Sequence, residues 1–193
     1  MTATATFRQM KDGTREEYLL LERYEHDYIA TLPERVVEAV VKLGTGLGGY
    51  AVSRLTHSLQ AATRARRDGA DIELVVAALI HDVGDELAPY NHAEVAAGLI
   101  RPYVRPEVTW IVEQHALFQS YYFNHHYGKD RHGRERFRGH RWFDACEAFC
   151  ERWDQASFDP DYDADSLESF IPLVREVFLR PAFDPTFVGT DKD

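Results

Sequence analysis

Six residues of metal-ligand type, His57, His81, Asp82, His92, His115 and Asp154, stand in or beside segments whose apolar residues recur at helical spacing. The sharpest of these segments runs from Val75 to Asp85 (VVAALIHDVGD) and reads as an apolar helix ending in adjacent His81 and Asp82. A helix this apolar belongs in a core, where two polar side chains at its end need compensation from a metal or a partner. A metal is the economical answer. Because each of the other four sits on or next to a helix of its own, several helix faces are expected to converge on one interior point. Four imidazoles and two carboxylates are enough for two ions with open positions left over.

The order His, His-Asp, His, His and a late Asp resembles the HD-domain superfamily over roughly residues 50–180. The two extra histidines narrow the resemblance to dinuclear members. It looks most like the branch containing inositol oxygenase and the phosphonate-cleaving oxygenases, which use a mixed-valent Fe(II)/Fe(III) pair. The resemblance implies that His57, His81, Asp82 and Asp154 hold one iron, and that Asp82, bridging, holds the other with His92 and His115. It implies O2 and a small hydroxylated molecule as partners, hydrogen abstraction at a carbinol carbon, and cleavage of the adjacent C–C or C–P bond, with no catalytic side chain beyond the ligands. The alternative on the same scaffold is a phosphohydrolase with manganese or magnesium, activating water against a phosphate ester.

Departures from the family pattern shape the expected substrate. Many HD phosphohydrolases and this oxygenase branch carry Lys or His three positions after the Asp of the pair, where this chain has Asp85 followed by Glu86. A carboxylate there repels a phosphate, which counts against the hydrolase. Phosphonate-cleaving members resemble one another in a Tyr and Glu lid before the first His, where Leu47 and Tyr50 stand, and in a basic residue one turn after the last His, where Gln119 stands. Tyr50, Asp85, Gln119 and Tyr122 are therefore the expected substrate-facing residues. Asp85 and Glu86, with Tyr50, Phe118, Tyr121, Tyr122 and Trp153 near the ligands in sequence, suit a substrate bearing an amine or trimethylammonium group. The competing role for Asp85 is a salt bridge to an arginine of the basic segment 129–141.

Other residues compete for the site. Asp144 is the rival of Asp154, expected to be a structural carboxylate. His125 and His126 sit in a polar stretch and are expected to be solvated or substrate-facing, while His26, His132 and His140 are expected at the surface. Cys146 and Cys150, four apart in a helical segment, suit neither a disulfide nor a zinc site and are expected to be reduced core thiols.

The positioning elements all read as helices, so the expected fold is an all-α, single-domain bundle with a central dinuclear site. Helices are expected from Thr14 to about Thr31, from Pro33 to Gly44, over 50–67, 72–82 and 92–100, from Pro106 past His115, from Trp142 to Gln155, and from Ser166 to Leu179. Thr14 and Glu17 form a capping-box pattern, and Tyr18, Leu19, Tyr24, Tyr28 and Leu32 are candidate core residues. Residues 119–140 read as a long excursion with one short helix, and residues 44–49 as a glycine-rich link. The expected domain layout is a flexible segment 1–13, the bundle 14–182 and a tail 183–193. At 193 residues no second core is required. A formal net charge of −10 disfavours nucleic acid and anionic membrane as partners. The start of the chain has no apolar signal region, which with reduced thiols suggests a cytoplasmic protein.

Overall fold

A computed structural model describes residues 3–189, which form nine α-helices and no strand. In chain order they are α1 (Arg15–Ala30), α2 (Leu32–Lys42), α3 (Arg54–Arg67), α4 (Ile72–Ile80), α5 (His92–Ile100), α6 (Pro106–Gln119), α7 (Phe143–Phe149), α8 (Ile171–Phe178) and α9 (Pro185–Val188). No helix among the described residues is long and apolar enough to cross a membrane.

Helix α4 is the axis of the bundle. Asp71 caps its start by accepting from the backbone N–H groups of Glu73 and Leu74, and the six residues from Val75 to Ile80 are all buried. An element that is apolar all round must be enclosed, and α2, α3, α6 and α8 pack around it. The helix stops two residues short of the expected 82, leaving His81 at its C-terminal boundary and Asp82 in the turn beyond. Ser53 caps α3, so this helix starts at Arg54 rather than 50, and α6 begins on Pro106 as its sequence suggests.

Three expectations are revised. Helix α1 forms with both halves of its capping box in place, yet it buries none of its side chains. It touches α2 and otherwise packs only the N-terminal segment, Phe7 stacking on Tyr18 at 5.5 Å, so Tyr18, Leu19, Tyr24 and Tyr28 are not core residues. Leu32, by contrast, does pack against the core. Residues 119–140 contain three short 3-10 turns rather than one helix. The basic side chains there are tied down: Arg131 and Arg134 stack on the Tyr121 ring at 4.0 and 3.8 Å, and buried Arg134 pairs with Glu147 at 2.8 Å. Finally, the helix expected over 142–155 is two pieces, because α7 passes at Cys150 into a π-helical turn, Cys150–Asp154. Residues 1–2 and 190–193 of the expected terminal segments lie outside the described residues; the rest of the tail contains α9, where Phe187 lies under Arg180 at 4.1 Å.

Candidate metal centre

Each candidate ligand is delivered by a different piece of the bundle. His57 comes from the first turn of α3, His81 and Asp82 from the end of α4, His92 from the first residue of α5, His115 from the last turn of α6, and Asp154 from the π-helical turn. A π-turn adds a residue to the local repeat and redirects the side chains that follow. Trp153 and Asp154 are both buried at its end. Gly84 sets the position of His92: a Cβ there would lie 2.5 Å from the His92 carbonyl oxygen and 2.7 Å from its Cα, so only glycine lets the chain leaving Asp82 pass this close to the start of α5.

The imidazoles are oriented by backbone carbonyls. Nδ1 of His57, His81 and His115 lies 3.0, 2.8 and 2.6 Å from the carbonyl oxygens of Ser157, Ala78 and Val112. Nδ1 of His92 lies 3.2 Å from Asp85 Oδ1 and 3.4 Å from the Pro89 carbonyl. These acceptors place the proton on Nδ1 and leave a lone pair on each Nε2. The lone pairs then meet: His57 and His81 are 3.1 Å apart at Nε2, and His92 and His115 are 3.3 Å apart. Two lone pairs cannot bond to each other. A shared cation resolves the conflict, because two ligand atoms each about 2.1 Å from one ion and at right angles lie about 3 Å apart.

Asp82 spans the two pairs. Its Oδ2 lies 3.4 and 3.3 Å from the Nε2 atoms of His57 and His81, and its Oδ1 lies 3.5 Å from those of both His92 and His115. Asp154 Oδ1 lies 3.3 Å from His57 Nε2 and accepts a hydrogen bond from Gln119 Nε2 at 2.9 Å. The Oδ2 atoms of Asp82 and Asp154 are buried without any hydrogen bond. Buried carboxylate oxygens beside imidazole nitrogens that lack a donor fit metal ions, and three overlapping ligand groups have metal-binding spacing: His57, His81 and Asp154; His81, Asp82 and His115; Asp82, Asp85 and His92.

The buried charges of the cluster offset one another. Burial opposes ionisation of Asp82, yet His81, His115 and Arg54 hold its pKa well below the usual carboxylate range. Asp154 is lowered against burial by His57, His81 and His115. Burial works against charging His57 and His115, but Asp154 and Asp82 raise the first and Asp82 chiefly raises the second; burial and the adjacent His115 lower His92.

Residues 54–148 match the family model for the HD domain. This stretch is an HD domain. It contains five of the six candidate ligands and ends short of Asp154, which geometry alone brings to the cluster. HD domains are typically found in metal-dependent enzymes, hydrolases and oxygenases among them. No curated protein matches the chain significantly.

A cavity of about 800 Å³ opens on the cluster, reaching Asp82, His92, His115 and Asp154. All four residues expected to face substrate, Tyr50, Asp85, Gln119 and Tyr122, line this cavity. Asp85 is not a free carboxylate, however. Arg54 donates to its Oδ2 through Nε at 2.9 Å and also through Nη2, and the same Nη2 lies 3.1 Å from Asp82 Oδ2. The partner is thus on α3, one turn before His57, and not in the basic segment. It neutralises Asp85, while Glu86, the other carboxylate behind the expectation of a cationic substrate, lines the cavity. Of the other aromatics, Phe118 and Trp153 are buried elsewhere, Trp153 donating to Asp68 at 2.7 Å, and Tyr121 lies beneath two arginines. Phe123, Tyr127 and Phe158 line the cavity instead, Phe158 stacking on His57 at 4.4 Å. Nothing in their types marked them, although Arg54 was detectable three residues before a ligand on one helix face.

The remaining candidates lie apart. Asp144 is exposed, as are His26, His125, His126 and His132. His140 is half-buried rather than at the surface, stacked on Trp110 at 4.1 Å. Cys146 and Cys150 are buried free thiols beside the carbonyl oxygens of Ile111 and His115, and burial pushes the Cys150 thiol well up.

Proposed function

We propose that the protein is a dinuclear iron oxygenase that uses O2 to oxidise and cleave a hydroxylated substrate. The observation that carries this reading is Asp82, whose two oxygens face separate histidine pairs. One ion would be held by His57, His81, Asp154 and Asp82 Oδ2, the other by His92, His115 and Asp82 Oδ1. Four imidazoles among six ligands suit iron better than magnesium or manganese, which prefer oxygen donors. When bound, an iron pair supplies O2 activation and the one-electron chemistry that opens a C–H bond beside a hydroxyl.

The protein's own residues do the rest. Gln119 fixes Asp154, while the Pro89 carbonyl and the Asp85 carboxylate, 3.2 Å from His92 Nδ1, hold that ring toward Asp82. Arg54 anchors Asp85 and lies against Asp82, while Tyr122 and Phe158 line the cavity beside the ligands. With a net charge of −10, the partners are a small molecule and O2 rather than nucleic acid.

The second reading is a manganese- or magnesium-dependent phosphohydrolase, favoured by Lys42 and Arg54 in the cavity wall. It is weakened because Arg54 is already neutralised by Asp85. Reconstitution with Fe(II) without oxygen should give close to two irons per chain, and mild oxidation a mixed-valent EPR signal below g = 2. Oxygen uptake with hydroxylated substrates supports the oxygenase. One metal per chain, or turnover of p-nitrophenyl phosphate with manganese and no oxygen uptake, rejects it.

A further inference from the structure

The space beside the ligands is larger and more apolar than a small polyol, amino alcohol or hydroxyphosphonate requires. A volume of about 800 Å³ lies high in the range of roughly 300–1,000 Å³ that holds drug-sized ligands. Asp82, His92, His115, Asp154, Arg54 and Gln119 line it at the cluster, and Lys42, Glu86 and Gln155 add polar groups elsewhere in the wall. The apolar part of the wall is Leu43, Leu47, Tyr50, Phe123, Tyr127 and Phe158, with Phe158 lying against His57.

This apolar wall continues onto the surface. Leu47, Tyr50, Phe123 and Tyr127 are 65, 51, 41 and 71 % exposed, although each lines the cavity. Leu87 and Tyr90, more exposed still, belong to the segment whose Glu86 and Pro89 line the same cavity. Two separate segments, around residues 47–50 and 123–127, therefore bring exposed apolar side chains to the cavity wall, and Pro89 joins them from a third. Single exposed apolar residues need no explanation, but a contiguous set that runs into a pocket marks a binding surface. Continuity with the ligand cluster identifies the occupant as one molecule with one end at Asp82.

We propose that the substrate is a single-chain amphiphile: an oxygen-bearing, hydroxylated head at the Asp82 end and an extended hydrocarbon body along the Leu43, Leu47 and Phe158 wall, emerging at Leu47 and Tyr127. Arg54 Nη1 makes no hydrogen bond among the described residues and is the donor available to the head oxygen. The inference rests on the reading of the Asp82 site as the reacting centre, but it concerns the shape of the substrate and is tested by binding alone.

The test is calorimetric titration of the purified, metal-loaded protein with straight-chain 1,2-alkanediols of four to twelve carbons below their micellar concentrations. Affinity should rise about fourfold per added methylene, as expected for burying each CH2, until the chain reaches the mouth. Leu47→Asp and Tyr127→Asp, both at exposed positions where folding is little affected, should flatten this dependence and weaken decane-1,2-diol at least tenfold. Affinity independent of chain length overturns the proposal, as do variants that keep the long-chain affinity. So does a rim that instead mediates concentration-dependent dimerisation or vesicle binding without any chain-length dependence. Because no turnover is measured, loss of the oxygenase reading through metal content or oxygen uptake leaves this outcome separate.

Discussion

Asp82 is the atom-scale hinge of the site, since one carboxylate serves both histidine pairs. Asp82→Ala should leave almost no bound metal, while His115→Ala should lose mainly one ion and Asp144→Ala neither, read by elemental analysis per chain. Full metal retention in Asp82→Ala would place the site elsewhere. Asp85 offers a finer test. It touches His92 Nδ1 and is held by Arg54, so Asp85→Asn should weaken metal binding in the His92 half by about 10–100-fold in a chelator competition, with the other half less affected. Unchanged affinity there would deny Asp85 its orienting role. The six candidate ligands were readable in the sequence because imidazole and carboxylate are the chemistry itself and each sat on or beside a periodic segment. Arg54 could be placed on the helix face of His57 but its partners could not, and Phe158 not at all, because what they do depends on which neighbours the fold supplies. Asp85 shows the same limit: its charge was visible, and the guanidinium that cancels it was not.

At the scale of elements, periodicity located the helices but could not say which had partners. Helix α1 has an apolar stripe and a complete cap, yet no side chain is buried, so its integrity depends unusually on its first turn. Glu17 is central to that turn. The backbone N–H groups of Thr14 and Thr6 lower its pKa from 4.5 to about 2, so its carboxylate stabilises the turn fully above about pH 4.5, and that contribution is lost as pH falls through 2. A carbon NMR titration should give a Glu17 midpoint near 2, with α1 fraying from its N-terminus across that window. A midpoint near 4.5 would show that the capping box does not persist in solution. The π-helical turn was hidden for a related reason. Residues 142–155 carry an ordinary helical pattern, and the inserted repeat that brings Asp154 inward arises from packing against α3 and α6, which no local spacing records.

Across the whole molecule, the cluster ties together α3, α4, α5, α6 and the π-turn, so ligand-bound metal should act as a clamp on the entire bundle. A metal at a thousandfold excess over its Kd, binding only the folded chain, adds about 4 kcal/mol. For a domain of this size that corresponds to a rise in Tm of roughly 8–16 °C. Chelation should lower the calorimetric Tm by this amount and readdition of iron restore it; a melt indifferent to metal would mean that the bundle does not close around an ion. The all-helical bundle was evident from composition and period, whereas the apolar mouth was not, since exposed apolar side chains from segments about 75 residues apart share nothing in sequence. The carbonyl that orients His57 belongs to Ser157, 100 residues further along the chain. At a synthesis rate of about 5–20 residues per second, roughly 5–20 s separate the appearance of the two on the ribosome. On the proposed assignment, an ion held by His57, His81 and Asp154 would therefore be inserted late in the life of each chain, whereas Asp82, His92 and His115 are all present once residue 115 has been made.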